Sequence, residues 1–307
     1  MPRTKGATAL LCAALVALVA LPYLPGLNGS FIFDDYPNIA QQPAIRATSL
    51  SWDELRNAIG AFSFGSGRPL PMLSLAVDHA IWGTDTFGYK LTNLIIHLIN
   101  SLLVFVLARA VLRLARPQDT DPTSLAFLVA LAWAVHPLQV STVLYVIQRM
   151  ETLSAGFVIL SLLAYLSARR RQIQGTVAWP MFGLSLAFAG IGISTKESAI
   201  LVPAYALAIE LTILGFRTYP GRTSTTIRAA YGIAIVAGII MVAAFGPHYV
   251  SDSTYAIREF NAVERVLTQF RVLPMYLGWI VLPQPGNYVF YYVNFSHSTG
   301  LLQPVST

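Results

Sequence analysis

Charge is scarce in this chain. Lys and Arg number 20 and Asp and Glu 14 in 307 residues, so 11% of positions are charged, about half the share of a soluble domain. That scarcity, with 55% hydrophobic residues, a mean hydropathy of +0.60 and several long apolar runs, excludes an ordinary soluble domain. It reads as a polytopic membrane protein. Cysteine is nearly absent: Cys12 stands alone inside the first apolar run, so no intramolecular disulfide can form. There is no Walker loop, no zinc-spaced Cys/His set and no serine-nucleophile elbow. No repeat and no low-complexity tract is present either. The net charge of +6 calls for no nucleic acid, because Arg and Lys in cytoplasmic loops orient membrane helices.

What is present is apolar periodicity. It predicts an all-α fold, a polytopic transmembrane helical bundle of about seven spans: 7–24, 88–112, 123–138, 151–168, 177–193, 198–216 and 227–246. The piece "VLPMYLGWIVLP" at 272–283 is short for a span and suits an interfacial or re-entrant segment, with a full helix from near Val266 as the alternative. Residues 1–24 carry the charges and apolar stretch of a signal peptide. The stretch is nonetheless long enough to span and ends in "LPYLPGLNG", not a small-residue cleavage site, so a retained first helix is expected.

Alternate loops sort by charge. One set holds Arg3 and Lys5; Arg109, Arg113 and Arg116; Arg169, Arg170 and Arg171; Arg217, Arg222 and Arg228. The opposite short loops hold only Arg149 and Lys196. The asymmetry places the N-terminus in the cytoplasm, and the long first loop, 25–87, on the periplasmic or luminal side. That loop has its own structure signals. "SWDEL" at 51–55 is a capped helix start, and the apolar residues of "GSGRPLPMLSLAVDHAIWG" suit an amphipathic helix at the interface.

Polar residues gather on the same side: Asp34 and Asp35 in "FIFDDYPNI", Arg68, Lys90, Asn93, His97, His136, Gln148, Arg149, Glu151, Lys196 and Glu197. Ionisable groups at a membrane read as functional. Each also has a plain structural reading. The acids could cap a turn before Pro37, His136 could end a helix and His97 could bond a neighbouring one. Arg149 could pair with Glu151, Lys196 with Glu197, and Asp78, Asp85 and His79 could be solvated or structural.

These residues fall in order. "FIFDDYPNI", then "RPLPMLSLAVDHAIWGTDTFGYKLTNLIIHLINSLLV", then "AWAVHPLQVSTVLYVIQRMETLSAGFVILSLLAYLSAR" and "ISTKESAILVPAYALAIE" follow one another over residues 25–285. This arrangement resembles the GT-C membrane glycosyltransferases, above all the membrane domain of the transmembrane-and-TPR, protein O-mannosyltransferase-like proteins and their bacterial relatives. Gly88, Tyr89, Asn93 and His97 fit the family pattern G-x-H-x-x-N-x-x-x-H, and Lys90 departs from it. Ser141 stands where the family commonly has an acid, and Thr195 stands in the serine position of its S-K-E segment.

The resemblance implies a single GT-C-like domain over 1–307, with a multi-span fold and inverting transfer on the periplasmic or luminal side. It implies a polyprenyl-phosphate sugar donor and a protein or glycan acceptor. It also implies a first-loop acid that serves as general base or holds a divalent metal. Relatives continue with more spans and a soluble repeat domain. A multi-pass protein of the bacterial inner membrane is the expected setting.

Chemistry assigns roles on that basis. Inverting transfer needs a base on the acceptor hydroxyl and charge stabilisation of the departing phosphate. Asp35, ahead of Asp34, is expected to be the base, its basicity raised by repulsion between the adjacent acids. Arg149 and Lys196 are expected to hold the donor phosphate, as fork and point charge. Arg68, His97 and His136 follow as further phosphate or sugar contacts, and Gln148, Glu151 and Glu197 complete the candidate set. A flippase of a lipid-linked sugar and a non-catalytic membrane assembly protein are the rival classes. Transporters place polar residues at the bilayer midplane, whereas here they lie at one face.

Overall fold

The computed structural model describes residues 5–62, 67–115, 121–251, 255–256, 258–288, 292 and 295–305. Arg3 and Arg116, two of the loop charges used above, lie outside them. Most described residues are helical, and strand pairing is nearly confined to one two-stranded hairpin, Arg217–Thr218 with Arg222–Thr223.

The helices, in order, are α1 (Lys5–Ala20), α2 (Trp52–Leu55), α3 (Pro69–Trp82), α4 (Thr86–Ala115), α5 (Thr123–Ala134), α6 (Gln139–Leu144), α7 (Arg149–Ile173), α8 (Trp179–Thr195), α9 (Val202–Ile209), α10 (Thr225–Tyr249) and α11 (Ala262–Val281). Five stretches are long and apolar enough to cross a membrane: Gly6–Gly26, Thr86–Ala115, Val146–Ile173, Glu197–Leu214 and Thr225–His248. The third and fifth predicted spans are also apolar helices, but shorter: Thr123–Ala134 and Trp179–Thr195. The 272–283 piece is the second half of α11, which starts earlier than expected. An Asn261 capping box with Glu264 opens it, and Glu264, Arg265 and Arg271 give it a polar face.

Two compact units divide the chain, residues 1–224 and 225–307. In the first, α4 packs against α1, α5 and α7, and α7 packs against α8 and α9. Gly156 permits the α4–α7 approach, since a Cβ there would lie 2.7 Å from the Asn100 side-chain oxygen. The Asn100 amide donates to the Thr152 carbonyl at 2.7 Å. In the second unit α10 is apolar between Arg228 and His248, and an aromatic cluster of Trp279, Tyr276, Tyr288 and Tyr292 gathers at the end of α11.

The first loop folds onto the bundle instead of trailing from it. Ser51 caps α2 by accepting the Glu54 N–H, as its sequence predicts. The Glu54 carboxylate turns instead to Thr48 and Ser49. α3 follows its amphipathic pattern and buries Met72, Leu75 and Ala76. These join Ile39, Ile45, Tyr89, Tyr145, Val146, Ile147 and Met150 in one core, with Phe31, Ile32 and Phe62 packed on it. The loop is thereby fixed to the start of α7.

Candidate functional site

The two first-loop acids have different environments. Phe33 sits in the left-handed region at φ 44, rare for a bulky residue, and this turn sends the next two side chains apart. Asp35 is fully buried. Its Oδ1 accepts the Ile147 N–H at 2.8 Å and its Oδ2 the Ile32 N–H at 3.1 Å. Burial pushes its carboxyl up to about 6, against the pull of those N–H donors and the charge of Lys90. The cause is burial, not the neighbour repulsion expected from sequence. Asp34 is exposed. Its N–H donates to the Tyr145 hydroxyl at 2.9 Å, and its carbonyl accepts from Asn38. Asp34 faces outward, and Asp35 is tied into the fold.

Arg149 stands elsewhere than the expected donor pocket. It is completely buried and forms an ion pair with Asp78 at 2.5 Å. Its Nε donates to Asn93 Oδ1 at 2.7 Å, one Nη to Ser74 Oγ at 3.3 Å and the other to the Tyr89 carbonyl at 2.9 Å. A guanidinium so enclosed has no face left for a ligand. It locks the start of α7 to α3 and α4. Asn93 assists, its amide donating to the Val143 and Val146 carbonyls. Asp78, read as solvated or structural, is the buried partner of this arginine.

Lys196 and Arg68 do meet at one place. Lys196 pairs with Glu151, not with its neighbour Glu197. Glu197 instead pairs with Arg68 at 2.9 Å. The Arg68 guanidinium lies 4.4 Å from the Phe62 ring centre and touches the Met150 sulfur. The first loop, the start of α7 and the α8–α9 turn therefore share a cluster of two cations and two carboxylates. All four are accessible in part. Arg68 Nε is buried with no hydrogen-bond partner among the described residues.

His97 is buried between Tyr23 and Trp133 and donates through Nε2 to the Ala134 carbonyl at 2.9 Å. The half-buried His136 accepts the Leu138 N–H through Nδ1, where the chain enters α6. Gln148 is half-buried in the last turn before α7. The described residues hold no cluster of three or more His, Cys, Asp or Glu side chains suited to a metal. Asp35 is fully buried while Asp34 faces outward, so the two carboxylates are not presented together to a divalent ion.

Sequence reasoning missed two residues. Tyr145 holds the Asp34 backbone, and its only signal was a place near the quoted "VLYVIQRME". Lys90, grouped with the other polar residues of that side and given no role, is buried on α4 beside the first loop.

The chain is similar to proteins of one kind. It is 31% identical over 222 residues to a protein of Mus musculus named protein O-mannosyl-transferase TMTC1, a stretch that is 67% of this chain and 22% of that one. It is 31% identical over 195 residues to protein O-mannosyl-transferase Tmtc1 of Drosophila melanogaster, 61% of this chain and 21% of that one. With protein O-mannosyl-transferase TMTC3 of Mus musculus it shares 24% identity over 212 residues, 67% of this chain and 22% of that one. The chain thus matches about a fifth of the length of each relative. No family model matches it, and no solved structure does. Over more than half of its length, the chain is a homologue of the TMTC protein O-mannosyltransferases, the GT-C-like family that its motifs resemble.

Proposed function

We propose that this chain is a membrane glycosyltransferase that moves a sugar from a polyprenyl-phosphate donor to a hydroxyl of a protein or glycan, with inversion. The carrying observation is the exposed Asp34, held through its backbone by Tyr145 on a loop packed against the start of α7. The kinship to O-mannosyltransferases supports the reaction class. The charge asymmetry of the loops supports a site on the non-cytoplasmic side, with the N-terminus in the cytoplasm.

In this reading Asp34 takes the proton from the acceptor hydroxyl, and that oxygen attacks the anomeric carbon of the donor. The bond from this carbon to the phosphate oxygen breaks, and polyprenyl phosphate leaves with the electron pair. Arg68 and Lys196 stabilise the leaving phosphate by exchanging Glu197 and Glu151 for it. Charge-assisted hydrogen bonds of this kind are the strong ones. Asp35, Arg149 and His97 keep the loop and helices in place.

The test is transfer of labelled sugar from a polyprenyl-phosphate donor by purified chain. Asp34→Asn should fold normally and lose about 10²–10⁴-fold in turnover, the usual contribution of a general base. Undiminished turnover in Asp34→Asn would remove this assignment.

A further inference from the structure

The cations around the first loop differ in one respect. Arg149 holds Asp78, Arg68 holds Glu197 and Lys196 holds Glu151. Lys90 holds nothing. Only 5% of it is exposed, yet its ammonium makes no hydrogen bond or ion pair among the described residues. The acid whose charge it feels is Asp35, yet the two form no ion pair among the described residues. The ammonium itself keeps access to solvent while its stem is buried, and a cation so held at a membrane surface marks a ligand site.

The surroundings leave room for the ammonium. Its Nζ lies against Gly29, where a Cβ would stand only 2.7 Å away. Gly29 is in turn fixed, its carbonyl accepting the Thr86 hydroxyl at 2.9 Å. Lys90 therefore reaches from the second turn of α4 toward the first loop, on the side of the acid pair.

We infer that Lys90 is an anion-binding residue that receives a phosphate oxygen of the donor beside Asp34. This inference rests on the glycosyltransferase reading and deepens it, because it assigns the phosphate contact to a residue with no partner inside the fold. An ammonium is a point charge with three donors and suits a phosphate oxygen at a confined place. The same chemistry would also accept free phosphate, so the test separates the two sources.

Purified chain in detergent is titrated with farnesyl phosphate, with farnesol and with inorganic phosphate. Farnesyl phosphate should bind at least tenfold more tightly than farnesol. Lys90→Gln should remove that advantage and leave farnesol binding unchanged, whereas Lys90→Arg should retain much of it. Gly29→Ala, which keeps the charge but displaces the ammonium, should weaken farnesyl phosphate binding several-fold, and it remains informative if Lys90→Gln does not fold. Farnesyl phosphate binding well above that of inorganic phosphate assigns the site to a lipid-linked phosphate, while equal binding assigns it to the free ion. Unchanged farnesyl phosphate binding in both Lys90→Gln and Gly29→Ala overturns the Lys90 inference and leaves the glycosyltransferase reading standing. Equal binding of farnesyl phosphate and farnesol by the unmodified chain overturns both.

Discussion

The backbone N–H of Asp34 donates to the Tyr145 hydroxyl at 2.9 Å, across 111 positions of sequence. Tyr145 is buried, and burial pushes its hydroxyl pKa well up, so it keeps its proton at every physiological pH. Tyr145 is thus a positioning residue for the exposed acid. Tyr145→Phe should cost about 1 kcal/mol of stability. It should lower turnover with little change in donor KM, because misplacing a base affects chiefly the transition state. Kinetics showing a raised KM and a normal turnover would place Tyr145 in donor binding instead.

Asp35 carries a pH dependence of its own. Its carboxyl is raised from 3.8 to about 6 by burial, so the folded chain holds that proton more tightly than the unfolded chain. The stabilisation is complete below about pH 4 and is lost as pH rises through 6. A displacement of this size is worth on the order of 3 kcal/mol. Thermal unfolding in detergent should therefore move upward between pH 7 and pH 5, and Asp35→Asn should lack that component. Parallel pH curves for the two proteins would refute the account.

The loop charges predict a first loop outside the cytoplasm. In a Cys12→Ala background, Leu50→Cys lies in the exposed part of the first loop and Gln174→Cys just beyond Arg169–Arg171. An impermeant maleimide should label Leu50→Cys in intact cells and Gln174→Cys only after permeabilisation. The reverse pattern would put the first loop in the cytoplasm.

Much of the fold was legible because membrane spans are written in apolar runs and α2 in a Ser51 cap. Each of the seven predicted spans coincides with a helix, although Thr123–Ala134 and Trp179–Thr195 are shorter than the other five. The candidate site was legible as a set of residues and much less as a set of roles. Asp34 and Asp35 are neighbours in sequence, and nothing local says that the Ile147 N–H will claim one of them. Arg149 and Lys196 looked alike as isolated cations between apolar runs. Their difference lies in Asp78, which a sequence pattern of amphipathic α3 presents as one more polar residue. Buried pairing between distant segments leaves no local periodicity to read. Lys90 left two traces, its place in the polar cluster and its departure from the family motif.

The Arg149–Asp78 pair gives the sharpest test of scaffolding against ligand binding. Both partners are almost wholly excluded from water, so removing one leaves the other charged and unpaired. Such a loss costs about 3–5 kcal/mol, while replacing both by apolar residues of similar size is often neutral. Arg149→Ala should therefore destabilise the chain severely. Arg149→Lys should recover part, since an ammonium keeps the charge without the fork that reaches Asn93, Ser74 and Tyr89 together. The double variant Arg149→Met with Asp78→Leu should be more stable than Arg149→Met alone. Thermal unfolding of the four proteins in detergent reads this directly, and farnesyl phosphate binding by the double variant completes it. A donor-binding arginine would leave the double variant stable but unable to bind the phosphate. A scaffolding arginine leaves binding intact wherever the fold is intact, and that is the outcome expected from a guanidinium whose donors are already engaged.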